Sequence, residues 1–181
     1  MSVARTQRNS SLRSHRPLNE EQREYLAVVH SASSGMLNLV NNLLDVYVIE
    51  SGRLDLAKTS GCLKSLTQER IRIHKMLAAE KNIAFAESLT DDGEQNFDSN
   101  KIAQVIDNLL SNAIKFSPRD STIYITLSRQ DNESRISVRD EGPGISPADK
   151  SLIFGEFHRL KAKPTGGEKS TGLGLAIVKK T

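Results

Sequence analysis

The sequence predicts an α+β fold: a two-layer α/β sandwich, with helices on one face of a mixed sheet, preceded by one long helix. Three observations predict it. Apolar residues between positions 26 and 47 step by three and four, the signature of a helix that pairs with other helices. From residue 53 onward, helical and alternating patterns are mixed without a strict βαβ rhythm. Between them stand polar and glycine-containing stretches, "NLLSNAIK", "RDEGPGIS" and "STGLGLAI", that a plain core would not hold.

Composition sets the frame. The 181 residues are 37% hydrophobic and 26% charged, enough for one domain plus an appendage. Unbroken apolar runs are only a few residues long, so no membrane span is expected. The first 18 residues are polar and basic, without the apolar core of a secretory signal. A single cysteine, Cys62, excludes an intrachain disulfide framework and fits a reducing, cytoplasmic location. Net charge is +3, and Arg5, Arg8, Arg13 and Arg16 place much of it in the tail. Aromatics are 4% and Trp is absent, so the tail has no base-stacking platform, and no nucleic-acid partner is expected.

The elements follow in order. Residues 1–18 read as a flexible lead-in, and residues 19–53 as the long helix. Asn19 can cap it, Glu20 and Glu21 suit its positive end, and Gly52 can stop it. Its seam is Leu26, Val29, Ser33, Met36, Val40, Leu43 and Tyr47, flanked by Leu37 and Leu44. That width favours a bundle over a two-helix zipper. Residues 54–181 form the remaining domain. "RLDLAK" alternates and reads as a short strand, "LKSLTQERIRIHKMLAAEK" as an amphipathic helix and "NIAFAESL" as a strand. "DDGEQN" reads as a turn-rich loop. A strong helix starts at the N-cap Asp98 and ends before Pro118. "STIYITLSRQ" and "SRISVRDEG" make a hairpin around "DNE". A short helical insert, "PADKSLIFGEFHRL", precedes the Gly/Lys/Thr-rich "KAKPTGGEKSTG", and "LGLAIVKKT" begins a last helix.

The polar stretches carry the chemistry. Asn108, Asn112 and Lys115 stand at i, i+4 and i+7, on one helical face, while Val105, Ile106, Leu109, Ala113 and Ile114 point to a core. Two asparagines are a cost inside a helix. Amide oxygens suit a hard cation such as Mg²⁺, and lysine suits phosphate oxygens. Asp140 can accept a hydrogen bond from an exocyclic amino group, and Gly142 and Gly144 let backbone approach a flat ring. Gly172 and Gly174 lead into a helix start, whose free N–H groups suit phosphate. The order of these stretches is more specific than any one of them.

On these motifs the chain resembles bacterial sensor histidine kinases of two-component systems, over about residues 19–181. "NLLDVYVIESGRLDL" resembles the family's junction between the second helix of the dimerisation hairpin and the catalytic domain. "QVIDNLLSNAIKFSP" resembles the N box, "RDEGPGIS" and "STGLGLAIVKK" the two glycine boxes, and "IFGEFHRL" the F box. The resemblance implies the sandwich shared with gyrase and heat-shock chaperone ATPases. It also implies transfer of the γ-phosphoryl of Mg²⁺-ATP to a histidine, a response-regulator receiver domain as partner, and a homodimer through the 19–53 helix.

By the same resemblance, Asn112 ligates Mg²⁺, Asn108 sits near the phosphates, and Lys115 reaches phosphate. Phe116 and Ile145 line the nucleotide pocket and Asp140 receives the adenine amino group, with Gly142 and Gly144 shaping the wall. Phe154 and Phe157 anchor the ATP lid of residues 160–171, Arg159 approaches the γ-phosphate, and Thr171, Gly172, Leu173 and Gly174 close around the phosphates. ATP-hydrolysing relatives carry a glutamate base where this chain has Asn108. An amide takes no proton from water at neutral pH, so phosphoryl transfer is expected rather than a gyrase-type ATPase.

The family's acceptor histidine, followed by an acid, has no clear counterpart. His15 precedes Arg16, His30 lies beside the seam without an acidic neighbour, and His74 and His158 read as structural or exposed. The resemblance also implies further strands beyond residue 181, so a truncated catalytic domain is expected. A second reading stays open on these grounds: a non-catalytic nucleotide-binding module that pairs with a kinase dimer.

Overall fold

A computed structural model describes residues 18–51, 55–90, 93–131, 133–155, 164–166 and 172–181. The chain divides into two compact units, one ending at Asn38 and one running from Leu39 to Thr181.

The described part of the first unit is the start of helix α1, Glu20–Glu50. Its N-terminus is closed reciprocally. The Asn19 side chain accepts the Gln22 N–H at 2.7 Å, and the Gln22 side chain accepts the Asn19 N–H at 3.1 Å. Two of the helix's unsatisfied donors are thereby paired. The seam residues Leu26, Val29, Met36, Val40, Leu43 and Tyr47 are exposed.

The second unit contains the last turns of α1 and then β1 (Thr59–Cys62), α2 (Leu63–Ala78), β2 (Ala84–Leu89), β3 (Glu94–Phe97), α3 (Ser99–Phe116), β4 (Thr122–Gln130), β5 (Glu133–Arg139), α4 (Pro147–Lys150) and α5 (Gly174–Lys180). A mixed three-stranded sheet has the order β2-β4-β5, with β2 parallel and β5 antiparallel to β4. Strand β4 alternates strictly. Ile123, Ile125 and Leu127 are buried, while the intervening Thr122, Tyr124 and Thr126 are not. Helices α2 and α3 cover that face. Ile71, Ala78, Ile106, Leu110, Ala113 and Ile114 pack with Ile123 and Ile125 in one core, as the sandwich reading requires.

Two local expectations are corrected. Of the strand expected at 53–58, the described residues 55–58 are not strand and the strand is Thr59–Cys62, while Glu94–Asn96, expected to belong to a loop, lie in strand β3. The two pair antiparallel, Thr59 opposite Phe97 and Cys62 opposite Glu94. Alternation alone makes no strand without a partner. "TSGC" finds one because Gly61 admits the Phe97 ring, whose Cζ would stand 3.2 Å from a Cβ at that position. Gly52, expected to stop α1, lies outside the described residues.

Helix α3 begins where expected. The Asp98 carboxylate accepts the N–H groups of Asn100 and Lys101, each at 3.1 Å, and that of Ala57 at 2.9 Å. The Lys101 hydrogen bond leads in holding its pKa below the ordinary carboxylate value. The same cap thus starts α3 and ties the segment before β1 to it.

Candidate functional site

The site is built on α3. Its core side is Ile106, Leu110, Ala113 and Ile114; Leu110 is fully buried, while Val105 and Leu109, expected in the core, are only half-buried. Asn108, Asn112 and Lys115 are half-buried along another stripe of the same helix. The Asn108 Nδ2 is buried and has no acceptor among the described residues. Leaving such a donor unpaired costs about 1–3 kcal/mol, so the position fits an acceptor brought by a ligand.

Gly174, the first residue of α5, stands against this asparagine. A Cβ on Gly174 would lie 3.0 Å from Asn108 Oδ1. Gly172 has φ +74°, a conformation that side-chain-bearing residues rarely adopt. Leu173 between them is fully buried.

The first glycine stretch arrives from β5. The exposed Asp140 accepts the Gly142 N–H at 2.8 Å through Oδ1. A Cβ on Gly142 would lie 2.7 Å from that oxygen and 2.9 Å from the carbonyl oxygen of Phe116, the last residue of α3. Gly144 has φ +71°, and Ile145 beyond it is 40% exposed. The adjoining Glu141 accepts the Thr122 N–H and the Tyr124 O–H, each at 3.1 Å. The Arg139 guanidinium lies 4.2 Å from the Tyr124 ring centre. The loop carrying Asp140 is therefore tied to β4.

The predicted residues are thus brought together unevenly. Asn108 meets Gly174, Phe116 meets Gly142, and Asn112 and Lys115 share the helix with both contacts. Phe154 is partly exposed, with the Lys179 ammonium of α5 5.6 Å from its ring centre. Phe157, Arg159, Thr171, His15 and His158 lie outside the described residues.

Three features escaped sequence reasoning. Lys81 is buried and donates to the carbonyls of Ile114 and Lys115 and to the Thr165 hydroxyl. Asp107, on another side of α3 from the asparagines, accepts Arg70 Nε at 2.8 Å, Arg70 Nη2 at 2.6 Å and lies 3.0 Å from His74 Nε2. Burial pushes the Asp107 carboxyl up, but the hydrogen bonds from His74 and Arg70 outweigh it and hold it below the ordinary value. His74 is buried, and this cluster gives it a structural place. Asp45 of α1 accepts from Lys101 Nζ and Gln104 Nε2 of α3. One signal for Lys81 was present: Pro118 has no N–H to give the Ile114 carbonyl, so a donor from elsewhere was required.

Comparison with known proteins gives the family. Residues 97–181 match the family "Histidine kinase-, DNA gyrase B-, and HSP90-like ATPase". The virulence sensor protein BvgS of Bordetella bronchiseptica is 32% identical over 169 residues, covering 90% of this chain and 14% of that protein. The chain thus spans about one seventh of the length of that relative. Full-length ShkA, crystallised in complex with AMPPNP, superposes with TM-score 0.74 at 28% identity, covering 91% of this chain and 34% of ShkA. The catalytic domain of histidine kinase ThkA superposes with TM-score 0.60 at 30% identity, covering 70% of this chain and 79% of that domain. The chain belongs to the histidine kinase-, DNA gyrase B- and HSP90-like ATPase family, and it carries the catalytic ATP-binding domain of the histidine kinases within it.

Proposed function

We propose that this chain is the phosphoryl-transferring portion of a sensor histidine kinase, acting on a histidine that is not among its own four. The observation that carries the reading is the meeting of both glycine stretches with one helix: Gly174 on Asn108 and Gly142 on Phe116. Stretches remote in sequence converge there, as one nucleotide site needs.

Each residue then has a task. Asp140 accepts the adenine amino group; Gly142 and Gly144 keep the wall flat, and Phe116 and Ile145 line it. Asn108, through the Nδ2 that has no acceptor among the described residues, and Lys115 face the phosphates. Asn112 offers an amide oxygen to Mg²⁺. Among the described residues no three His, Cys, Asp or Glu side chains gather to cage a metal. A bound Mg²⁺ would be held by Asn112 together with the nucleotide's own oxygens, as suits a hard cation that keeps several waters. Mg²⁺-ATP supplies the phosphoryl group; the protein's part is positioning and charge neutralisation. By the family resemblance Phe154 and Phe157 anchor the ATP lid, and Arg159, Thr171, Gly172, Leu173 and Gly174 close on the phosphates; Phe157, Arg159 and Thr171 lie outside the described residues. Asn108 makes no base for water.

The acceptor belongs elsewhere because none of the four histidines is followed by an acid: Arg16, Ser31, Lys75 and Arg159 come next. His30 is exposed between Val29 and Ser31, and His74 is committed to Asp107. The division that fits is a tail at 1–18, a dimerisation helix at 19–53 and a catalytic domain at 54–181. The exposed seam of α1 pairs two copies, and a response-regulator receiver domain takes the phosphoryl onward. No helix among the described residues is long and apolar enough to cross a membrane, and the cytoplasm is the proposed location.

The test is calorimetric titration with a non-hydrolysable ATP analogue and Mg²⁺. Saturable binding that is lost in Asp140→Ala is expected. A wild-type chain that folds and binds nothing would overturn the reading. Incubation with γ-labelled ATP and a separate dimerisation hairpin then tests transfer, and label that survives Asn112→Ala would contradict the role given to Asn112.

A further inference from the structure

Helix α3 ends abruptly. Ser117 donates its N–H to the Ala113 carbonyl at 3.0 Å, but the next residue is Pro118, which has no N–H for Ile114. The final carbonyls of a helix need donors from outside it and favour a positive charge. Lys81, from the turn that follows α2, supplies both. Its buried ammonium donates to Ile114 O at 2.9 Å and to Lys115 O at 3.2 Å.

The same ammonium donates at 2.9 Å to the hydroxyl of Thr165, a residue 84 positions away. Thr165 is itself bound to the helix end. Its N–H donates to Lys115 O at 2.9 Å, and its hydroxyl lies 2.6 Å from Ser117 O. Lys115 is the phosphate-facing lysine of the proposed site, and Thr165 stands in the sequence between the two glycine stretches. We propose that Lys81 is a positioning residue for nucleotide binding: it clamps Thr165 onto the carbonyls that end α3, and so sets residues 164–166 against the end of the helix carrying Asn108, Asn112 and Lys115. Lys81 touches no nucleotide in this account. It acts through Thr165 and the helix end, with charge-assisted hydrogen bonds that a neutral side chain cannot replace.

The proposal rests on the nucleotide-binding reading above, so its test has an arm that needs no nucleotide. Calorimetry with the ATP analogue and Mg²⁺ compares the full chain with Lys81→Met, Thr165→Val and the double variant. Amide hydrogen exchange of the nucleotide-free proteins follows the Thr165 N–H. Lys81→Met is expected to weaken binding about tenfold, the size of one charge-assisted hydrogen bond, and Thr165→Val by less. The double variant should be no weaker than Lys81→Met, because both changes break one clamp. Thr165 should exchange faster in Lys81→Met. In a transfer assay the loss should appear in KM for ATP more than in kcat. Unchanged affinity, fully additive losses, or unaltered exchange at Thr165 would overturn the proposal. Should Lys81→Met fail to fold, Thr165→Val decides: wild-type affinity in that variant overturns it. A wild-type chain that binds no nucleotide defeats the functional reading, and the exchange of Thr165 then decides the clamp alone.

Discussion

Gly142 occupies a space that admits no side chain, since one neighbour of a Cβ there is backbone, the Phe116 carbonyl. Gly142→Ala must displace either the end of α3 or the Asp140 carboxylate. A stability loss of about 1–3 kcal/mol is expected from this overpacking. Nucleotide affinity should fall with it, and thermal denaturation alongside calorimetry checks both. Asp107 has a different role. Its carboxyl is lowered by His74 and Arg70 against the opposing effect of burial. A group lowered on folding contributes stability above its unfolded pKa of about 3.9, and loses it as pH falls through the lower folded value. Asp107→Asn should therefore cost about 1–2 kcal/mol near neutral pH, the cluster being partly exposed. The gap to wild type should close as pH drops below about 4. Urea denaturation across a pH series measures it, and a gap that persisted in acid would contradict the assignment.

Among the elements, α1 has two kinds of surface. Near its C-terminal end, Val46 is buried with Leu173 and Ile177, and Asp45 holds Lys101 and Gln104. Along its seam, Met36, Val40, Leu43 and Tyr47 stay exposed. An apolar row at heptad spacing gains stability only by burial against another helix. The wild-type chain should therefore sediment as a dimer. Val40→Lys should shift it to monomer while leaving the melting of the catalytic domain unchanged, because Val40 is absent from that domain's core. Sedimentation and thermal denaturation together check this. A variant that stays dimeric would place the dimer contact elsewhere. The last turns of α1 meet Leu173, between Gly172 and Gly174, so the helix and the phosphate side of the proposed site share a packing cluster.

At the scale of the whole molecule, nucleotide binding and stability are linked. A ligand at one hundred times its Kd adds about 2.7 kcal/mol to the folded state. At about 2–4 °C per kcal/mol for a unit of this size, the Tm should rise by roughly 5–11 °C. Differential scanning fluorimetry with the ATP analogue and Mg²⁺ reads the shift, which Asp140→Ala should abolish. A shift of the same size in that variant would place the nucleotide elsewhere.

Features with a local cause could be read from residue order alone. Periodicity marked α2, α3, β2 and the β4–β5 hairpin, and Asp98 marked the start of α3. Asn108, Asn112, Gly142 and Gly174 stood out as candidates because their burden is local: amides that weaken a helix, and glycines required by a close approach. Strands β1 and β3 were not legible, since each is a strand only through the other. The Asp107 cluster and the Lys81–Thr165 clamp were hidden for the same reason. Nothing near Lys81 in sequence names Ile114, Lys115 or Thr165 as its acceptors. Those partners come from the packing of remote segments, because a buried ammonium takes whichever carbonyls the fold leaves without donors.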